Sequence, residues 1–186
     1  MNSRLERLTL AYNAVLGRRL RRVIWMPLSC DTIDLVKAFE QPGFSYSGAV
    51  RLIFGPEEEL FLTWAHHAPM TLIASTEAEC WSPNTLDRIS ASTTSPWSDV
   101  IGATLNSVDL YLASPSYLPV AACHTLTLHG GSRHQFWVGT GYGATLGEGD
   151  ELWIGLDQDP DDLRTLTLLK TLRLTPGPGS IPRTSG

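Results

Sequence analysis

The chain has 186 residues, a formal net charge of −5 at pH 7, 42% hydrophobic residues and 18% charged residues. This composition is typical of a globular protein and excludes an intrinsically disordered chain, and the length lets one domain bury a sizeable core without disulfides. The three cysteines, Cys30, Cys80 and Cys123, are odd in number and form no CxxC pair, so neither a disulfide framework nor a zinc ribbon is supported. Because no apolar stretch is long enough for a signal peptide or a membrane span, we expect a cytoplasmic protein with reduced thiols.

The charge is unevenly distributed along the chain. Residues 1–22 contain six arginines and one acid, Glu6, which gives +5, so the rest of the chain carries −10. The acids concentrate in residues 57–59 and in residues 148–162, and the second run has seven carboxylates and no base. Such a surface repels nucleic acid and attracts basic proteins, which excludes a nucleic-acid partner and favours a basic protein.

The N-terminal segments show helical and then strand periodicity. Residues 3–16 place their apolar side chains near one helix face, and Ser3 with Glu6 forms a capping-box pattern. Residues 18–26 are predicted to form a strand, and residues 32–40 a short helix that ends at Gln41-Pro42-Gly43.

The two halves of the sequence resemble each other. The pattern Leu16-Gly17-x-x-Leu20-x-x-Val23 recurs as Ile101-Gly102-x-x-Leu105-x-x-Val108. Each copy leads into an alternating apolar hairpin and one further strand, over residues 49–74 and 124–155. We therefore predict a duplicated antiparallel β-unit of about four strands, covering about 16–75 and 101–156.

The remaining segments complete the predicted fold. Residues 75–97 are rich in Ser, Thr and Pro and should be mostly connector, with a helical turn starting at Pro96. Asp159-Pro160-Asp161-Asp162 is typical of the start of a helix. The apolar residues of 163–174, however, fit the period of a strand as well as that of a helix, so the sequence leaves both structures open for this segment. The fold class is α+β, mainly β, with an N-terminal helix. One globular domain covers residues 1–174, and a flexible tail covers 175–186.

A glycine-rich stretch suggests phosphate binding at first sight. It contains Gly139-x-Gly141-x-Gly143, followed by Gly147 and Gly149. A dinucleotide fingerprint needs G-x-G-x-x-G before a helix, whereas here a strand with two acids at its start follows. We interpret the stretch as a bend with positive φ, leading into the last strand of the second unit.

The histidines and cysteines are the residue types that most often serve as metal ligands and catalytic groups. His66 and His67 are adjacent in sequence, and so are Cys123 and His124, so a strand would direct each pair to opposite faces. His129 and His134 flank a predicted turn and could face each other across a ladder. Surface imidazoles and a core cysteine are the simpler interpretation, and we predict no metal, no cofactor and no catalytic residue.

The second half contains a combination of scaffold residues rather than a functional motif. These residues are Trp97-Ser98-x-x-Ile101-Gly102-x-x-Leu105, the second hairpin, Gly139-x-Gly141-Tyr142 and Gly149-Asp150-Glu151-Leu152. Together they resemble small uncharacterised bacterial proteins, some of which are similar to immunity proteins of secreted toxins. The resemblance implies toxin neutralisation by direct binding, and it carries no site residues.

The sequence therefore favours a non-enzymatic protein-binding module, most concretely an immunity-type inhibitor that binds a basic toxin domain through an acidic surface. Two alternatives remain: a small-ligand receptor or metal-dependent enzyme that uses a cleft between the units with His129 and His134, and a homodimer that pairs sheet edges. Neither a nucleic acid nor a membrane is an expected partner. The arginines of residues 18–22 are expected to pair with acids. The predicted partner-binding residues are Glu57, Glu58, Glu59, Trp81, Trp97, Glu148, Asp150, Glu151, Asp157 and Asp159.

Overall fold

The computed structural model describes residues 3–29, 40–65, 70–142, 145–147 and 149–174. The expected helix over 32–40 lies outside them except for Glu40, and Cys30, His66, His67, Glu148 and the tail from 175 lie outside them entirely. Helix α1 (Ser3–Val15) confirms the first predicted element, and it buries Leu8, Tyr12 and Val15 along one face. Within the described residues, no helix has the length and apolar character needed to cross a membrane.

The described part of the chain is mainly β. The strands in chain order are β1 (Arg22–Pro27), β2 (Gly43–Tyr46), β3 (Gly48–Ile53), β4 (Glu59–Ala65), β5 (Thr71–Ser75), β6 (Ile89–Ser90), β7 (Thr104–Ala113), β8 (Ala121–Thr127), β9 (Arg133–Tyr142), β10 (Thr145–Leu146), β11 (Leu152–Leu156) and β12 (Leu166–Arg173). A short helix α2 (Glu77–Cys80) and single 3₁₀ turns at Trp97–Val100 and Leu163–Thr165 complete the elements. The turn predicted from Pro96 is thus confirmed, and the ambiguous C-terminal segment is mostly strand.

Two antiparallel sheets make up the fold. The first has the order β5-β4-β3-β1-β6, and the second has the order β12-β7-β8-β9-β11-β2, with β10 pairing to β9. Strands β2 and β3 are separated only by Ser47, yet they belong to different sheets. Gly48 adopts φ +146° at this switch, and a Cβ there would collide with the carbonyl oxygen of Met26, so glycine is required.

The predicted duplication agrees with a symmetric contact between the halves. Both sheets contain an antiparallel run of four strands, β1-β3-β4-β5 and β7-β8-β9-β11. Gly17 N donates to Leu105 O at 2.8 Å, and Gly102 N donates to Leu20 O at 2.7 Å. In the repeated pattern Gly17 corresponds to Gly102 and Leu20 to Leu105, so each half donates the same hydrogen bond to the other half. The same relation connects the bonds from Leu20 N to Ala103 O and from Leu105 N to Arg18 O. The common origin of the two units stays a prediction.

The main core lies between the two sheets and beneath α1. An aromatic cluster occupies its centre, where Trp25 packs edge-on against Trp97 with ring centroids 4.9 Å apart and against Phe44 at 5.2 Å. Phe136, from the second sheet, lies 5.9 Å from Trp97. Because residues of both sheets share this cluster, the halves form one body around a common core.

A second, smaller core covers the outer face of the second sheet. Trp137, Trp153, Cys123 and Leu146 are buried there, and Leu163 packs against them from the segment that joins β11 to β12. The acidic segment 157–162 is therefore folded against the sheet.

Candidate partner-binding surface

The glycine-rich stretch is a close-packed bend. Gly139 and Gly141 lie in β9, where a Cβ at Gly141 would collide with the carbonyl oxygen of Thr145 and one at Gly139 would lie 2.7 Å from Leu146 Cδ2. Gly147 adopts φ +90°, and strand β11 follows instead of a helix. The predicted bend is confirmed, since the glycines let β10 fold back over β9.

The first acidic run is largely neutralised by arginines. Glu58 pairs with Arg18 at 2.9 Å, and Arg51 donates two hydrogen bonds to Glu59 at 2.8 and 2.9 Å. Glu57 is exposed and lacks such a pair among the described residues. The pairing confirms that the basic N-terminal cluster contributes a salt bridge to an acidic run, and it leaves residues 57–59 with little free negative charge.

Two carboxylates of the second acidic run hold the fold together. Asp157 Oδ1 accepts a hydrogen bond from Gln135 N at 2.8 Å, and Asp162 Oδ2 accepts one from Leu146 N at 3.0 Å. These bonds tie the segment between β11 and β12 to strands β9 and β10. The sequence predicts that Asp157 binds a partner; both of its oxygens already have a partner within the chain, and the binding role stays a prediction.

Three exposed carboxylates are not used in this way. Asp150, Asp159 and Asp161 are exposed, and within the described residues their carboxylates make no hydrogen bond or ion pair. We call these three residues the acidic patch. Glu151, which is half-buried, adjoins it, whereas the predicted Glu148 lies outside the described residues.

The position of the acidic patch follows from chain connectivity. Asp162 is bonded to Leu146 N, which places Asp161 beside β10. Asp150 follows Leu146 by four positions, so their Cα atoms are at most about 14 Å apart. Asp161 therefore lies beside β10, and Asp150 lies within that distance of its end.

The two acidic runs lie at opposite ends of strand β3. Ser47 Oγ donates to Asp150 O at 3.2 Å, which places Asp150 near the start of β3. Residues 57–59 lie beyond the other end of that strand, which is about 17 Å long. The length of β3 thus separates the two acidic runs.

The two tryptophans predicted as interface anchors have different environments. Trp97 is 0% exposed at the centre of the aromatic cluster, so its assignment as an anchor is wrong. Trp81 is half-buried and packs edge-on against Trp64, with ring centroids 6.0 Å apart. It lines a shallow pocket with Glu77 and Arg88 and remains accessible to a partner.

Cys123 and His124 are both core residues. His124 Nδ1 donates to Phe136 O at 2.7 Å, and Tyr12 OH donates to His124 Nε2 at 3.0 Å. Burial lowers the pKa of His124 to about 4, so the ring is neutral at pH 7. Burial likewise raises the pKa of Cys123 to about 12, which keeps its thiol protonated and confirms the prediction of a core cysteine.

His134 has a partner that the sequence did not reveal. Its Nδ1 lies 2.7 Å from Asp157 Oδ2, whereas across the ladder it is opposite Leu126. His129 is exposed in the turn after β8 and does not face His134 across the ladder, so the possible pairing of the two histidines is absent. Within the described residues, no three His, Cys, Asp or Glu side chains are grouped so that they could hold a metal ion.

Comparison with known proteins adds no residue roles to this geometry. No protein-family model, no curated protein and no solved structure matches the chain. The resemblance to immunity proteins therefore stays a prediction, and the function has to be argued from the described residues.

Proposed function

We propose that this protein is a non-catalytic binding module of the immunity type, which neutralises a basic toxin domain in the cytoplasm by direct contact. The observation that carries the proposal is the acidic patch of Asp150, Asp159 and Asp161, whose carboxylates are exposed and have no partner within the described residues.

The use of carboxylates elsewhere in the fold gives this observation its weight. Glu58, Glu59, Glu77 and Glu79 pair with arginines, and Asp157 pairs with His134. The carboxylates of the acidic patch form no hydrogen bond or ion pair within the described residues, so they add no such interaction to the fold. Negative charges in one region raise the local concentration of a basic partner and speed its association. Attraction of such a partner gives the acidic patch a role outside the folding of the chain.

The backbone around the patch is well anchored. Pro160, between two of the patch residues, is buried, and Thr165 N donates to Asp162 O at 2.8 Å to close the following turn. A surface held in one conformation loses little conformational entropy on binding. Arg164 is exposed close to the patch in sequence and reduces its net charge by one.

The proposal is tested by capture with matched variants. The wild-type protein and a triple variant, Asp150→Asn with Asp159→Asn and Asp161→Asn, are immobilised and exposed to lysates of the native cell and of cells that express the neighbouring gene. We expect the wild type to capture one basic protein, and the triple variant to bind it about tenfold or more weakly. Glu57→Gln is the control, since that carboxylate is exposed but lies beyond β3.

Two further readouts distinguish the outcomes. The association rate of the captured protein should fall with increasing salt for the wild type and much less for the triple variant. Co-expression with the captured protein should restore growth only with the wild type or Glu57→Gln. Equal affinity of the wild type and the triple variant, or failure to capture any specific protein, would overturn the proposal.

A further inference from the structure

A polar pocket lies at the start of β9, outside the acidic patch. It has a volume of about 450 Å³ and is lined by Thr125, Arg133, His134, Gln135 and Asp157. Thr125 comes from β8, and Arg133, His134 and Gln135 come from β9. Asp157 directly follows β11, so the second sheet and the segment that joins β11 to β12 form the walls of the pocket.

Three hydrogen-bond donors share one face of the sheet in this pocket. Thr125 lies directly opposite Gln135 in the β8–β9 ladder, and Arg133 precedes Gln135 by two positions. Because side chains alternate along a strand, all three project from the same face. A hydroxyl, a carboxamide and a guanidinium are therefore presented side by side.

These donors are unused within the fold. Thr125 is only 8% exposed, yet its hydroxyl makes no hydrogen bond to the described residues and is open to the pocket. The side chains of Arg133 and Gln135 likewise have no partner among the described residues. By contrast, four other arginines are ion-paired: Arg7, Arg18, Arg51 and Arg88. The Thr125 hydroxyl is accessible from the pocket and is therefore available to a molecule bound there.

The one carboxylate in the pocket wall does not compete for these donors. Asp157 accepts Gln135 N with one oxygen, and its other oxygen lies 2.7 Å from His134 Nδ1. Its backbone adopts φ +52°, a strained conformation for a non-glycine residue, which places the carboxylate against β9. Arg133 therefore remains free to bind a ligand.

We propose that this pocket binds the carboxylate group of a small organic ligand. The guanidinium of Arg133 matches a planar carboxylate in two parallel hydrogen bonds, and Thr125 and Gln135 supply further donors. The carboxylate of Asp157, in the pocket wall, places a negative charge beside these donors. Its repulsion disfavours a doubly charged phosphate more than a singly charged carboxylate.

The site is tested by nuclear magnetic resonance titration of the ¹⁵N-labelled chain at constant ionic strength. Sodium acetate should give saturable shifts at the Thr125 amide, the Arg133 guanidinium and the Gln135 carboxamide, and inorganic phosphate should bind more weakly. Arg133→Gln should weaken acetate binding about tenfold, whereas Arg164→Gln, which removes another exposed and unpaired arginine, should leave it unchanged.

A second pair of variants separates ligand binding from folding. Thr125→Val removes the hydroxyl at nearly constant volume and should weaken acetate binding, and Thr125→Ser should restore it. Shifts that rise linearly without saturation, equal affinity in Arg133→Gln, or tighter binding of phosphate than of acetate would each overturn the assignment. The titration contains no protein partner, so its outcome is independent of the proposed toxin contact.

Discussion

The buried imidazole of His124 should make the protein lose stability in mild acid. The ring is 1% exposed and accepts a hydrogen bond from the Tyr12 hydroxyl, and its other nitrogen donates to Phe136 O. Burial raises the pKa of the Tyr12 phenol above its usual range, so that group stays protonated and supplies no negative charge. A proton on His124 would displace the Tyr12 bond and leave a charge in the core.

The sign and size of the effect follow from the two pKa values. The pKa of His124 is about 4 in the folded chain and 6.5 without burial, so between these values the unfolded chain binds more protons. Stability is therefore complete above about pH 6.5 and falls as the pH drops towards 4. The depression corresponds to about 3 kcal/mol, a large part of the roughly 5 to 15 kcal/mol that stabilises a typical domain.

The assay is urea unfolding followed by circular dichroism at intervals from pH 7 to pH 4.5. The free energy of unfolding of the wild type should fall over this range, and that of His124→Gln should fall by about 2 to 3 kcal/mol less, since it lacks the titrating ring. The pKa of Glu79 is lowered to about 2, chiefly by the hydrogen bond from Ser75, so its protonation lies below this range. Parallel pH profiles for the two proteins would refute the argument.

Two further predictions concern stability. Gly141→Ala should destabilise the protein by about 1 to 3 kcal/mol in thermal or urea unfolding, because the new Cβ meets Thr145 O. The control Gly130→Ala, where no atom lies within 4 Å of the added Cβ, should change stability much less. Equal losses in the two variants would contradict the close packing of β10. Trp97→Ala should cost about 3 to 5 kcal/mol in urea unfolding, since it empties the aromatic core, and the half-buried Trp81→Ala should cost clearly less; the reverse order would contradict the burial of Trp97.

Local patterns in the sequence are sufficient to predict several elements. The three-to-four-residue spacing of apolar side chains predicts α1, and the alternation around a glycine turn predicts the hairpins β3–β4 and β8–β9. The positive φ of Gly147 likewise follows from turn chemistry. These features are local because neighbouring residues along the chain determine them.

Other elements depend on strands that are distant in sequence. Residues 166–173 alternate and also fit a helix, and antiparallel pairing with β7 determines that they form β12. The sequence does not predict strand β2, because its partner β11 lies in the other half of the chain and the neighbouring β3 belongs to the other sheet. The hydrophobic periodicity of one segment cannot identify its partner strand, because the pairing also depends on residues of a distant segment.

For the candidate sites, the sequence by itself determined which groups are present, and the tertiary structure decided which of them are free. The acidic runs are evident from composition, but the neutralisation of Glu58 by Arg18 and the engagement of Asp157 by His134 join residues from separate elements. Trp97 and Trp81 both lie in proline-containing connector, yet only the fold places Trp97 in the core. Charge and hydrophobicity are properties of a residue, whereas burial and ion pairing belong to pairs of residues that folding brings together. The sequence therefore determined an acidic, mainly β chain, and only the tertiary structure separated the free carboxylates of the acidic patch from those that hold the fold together.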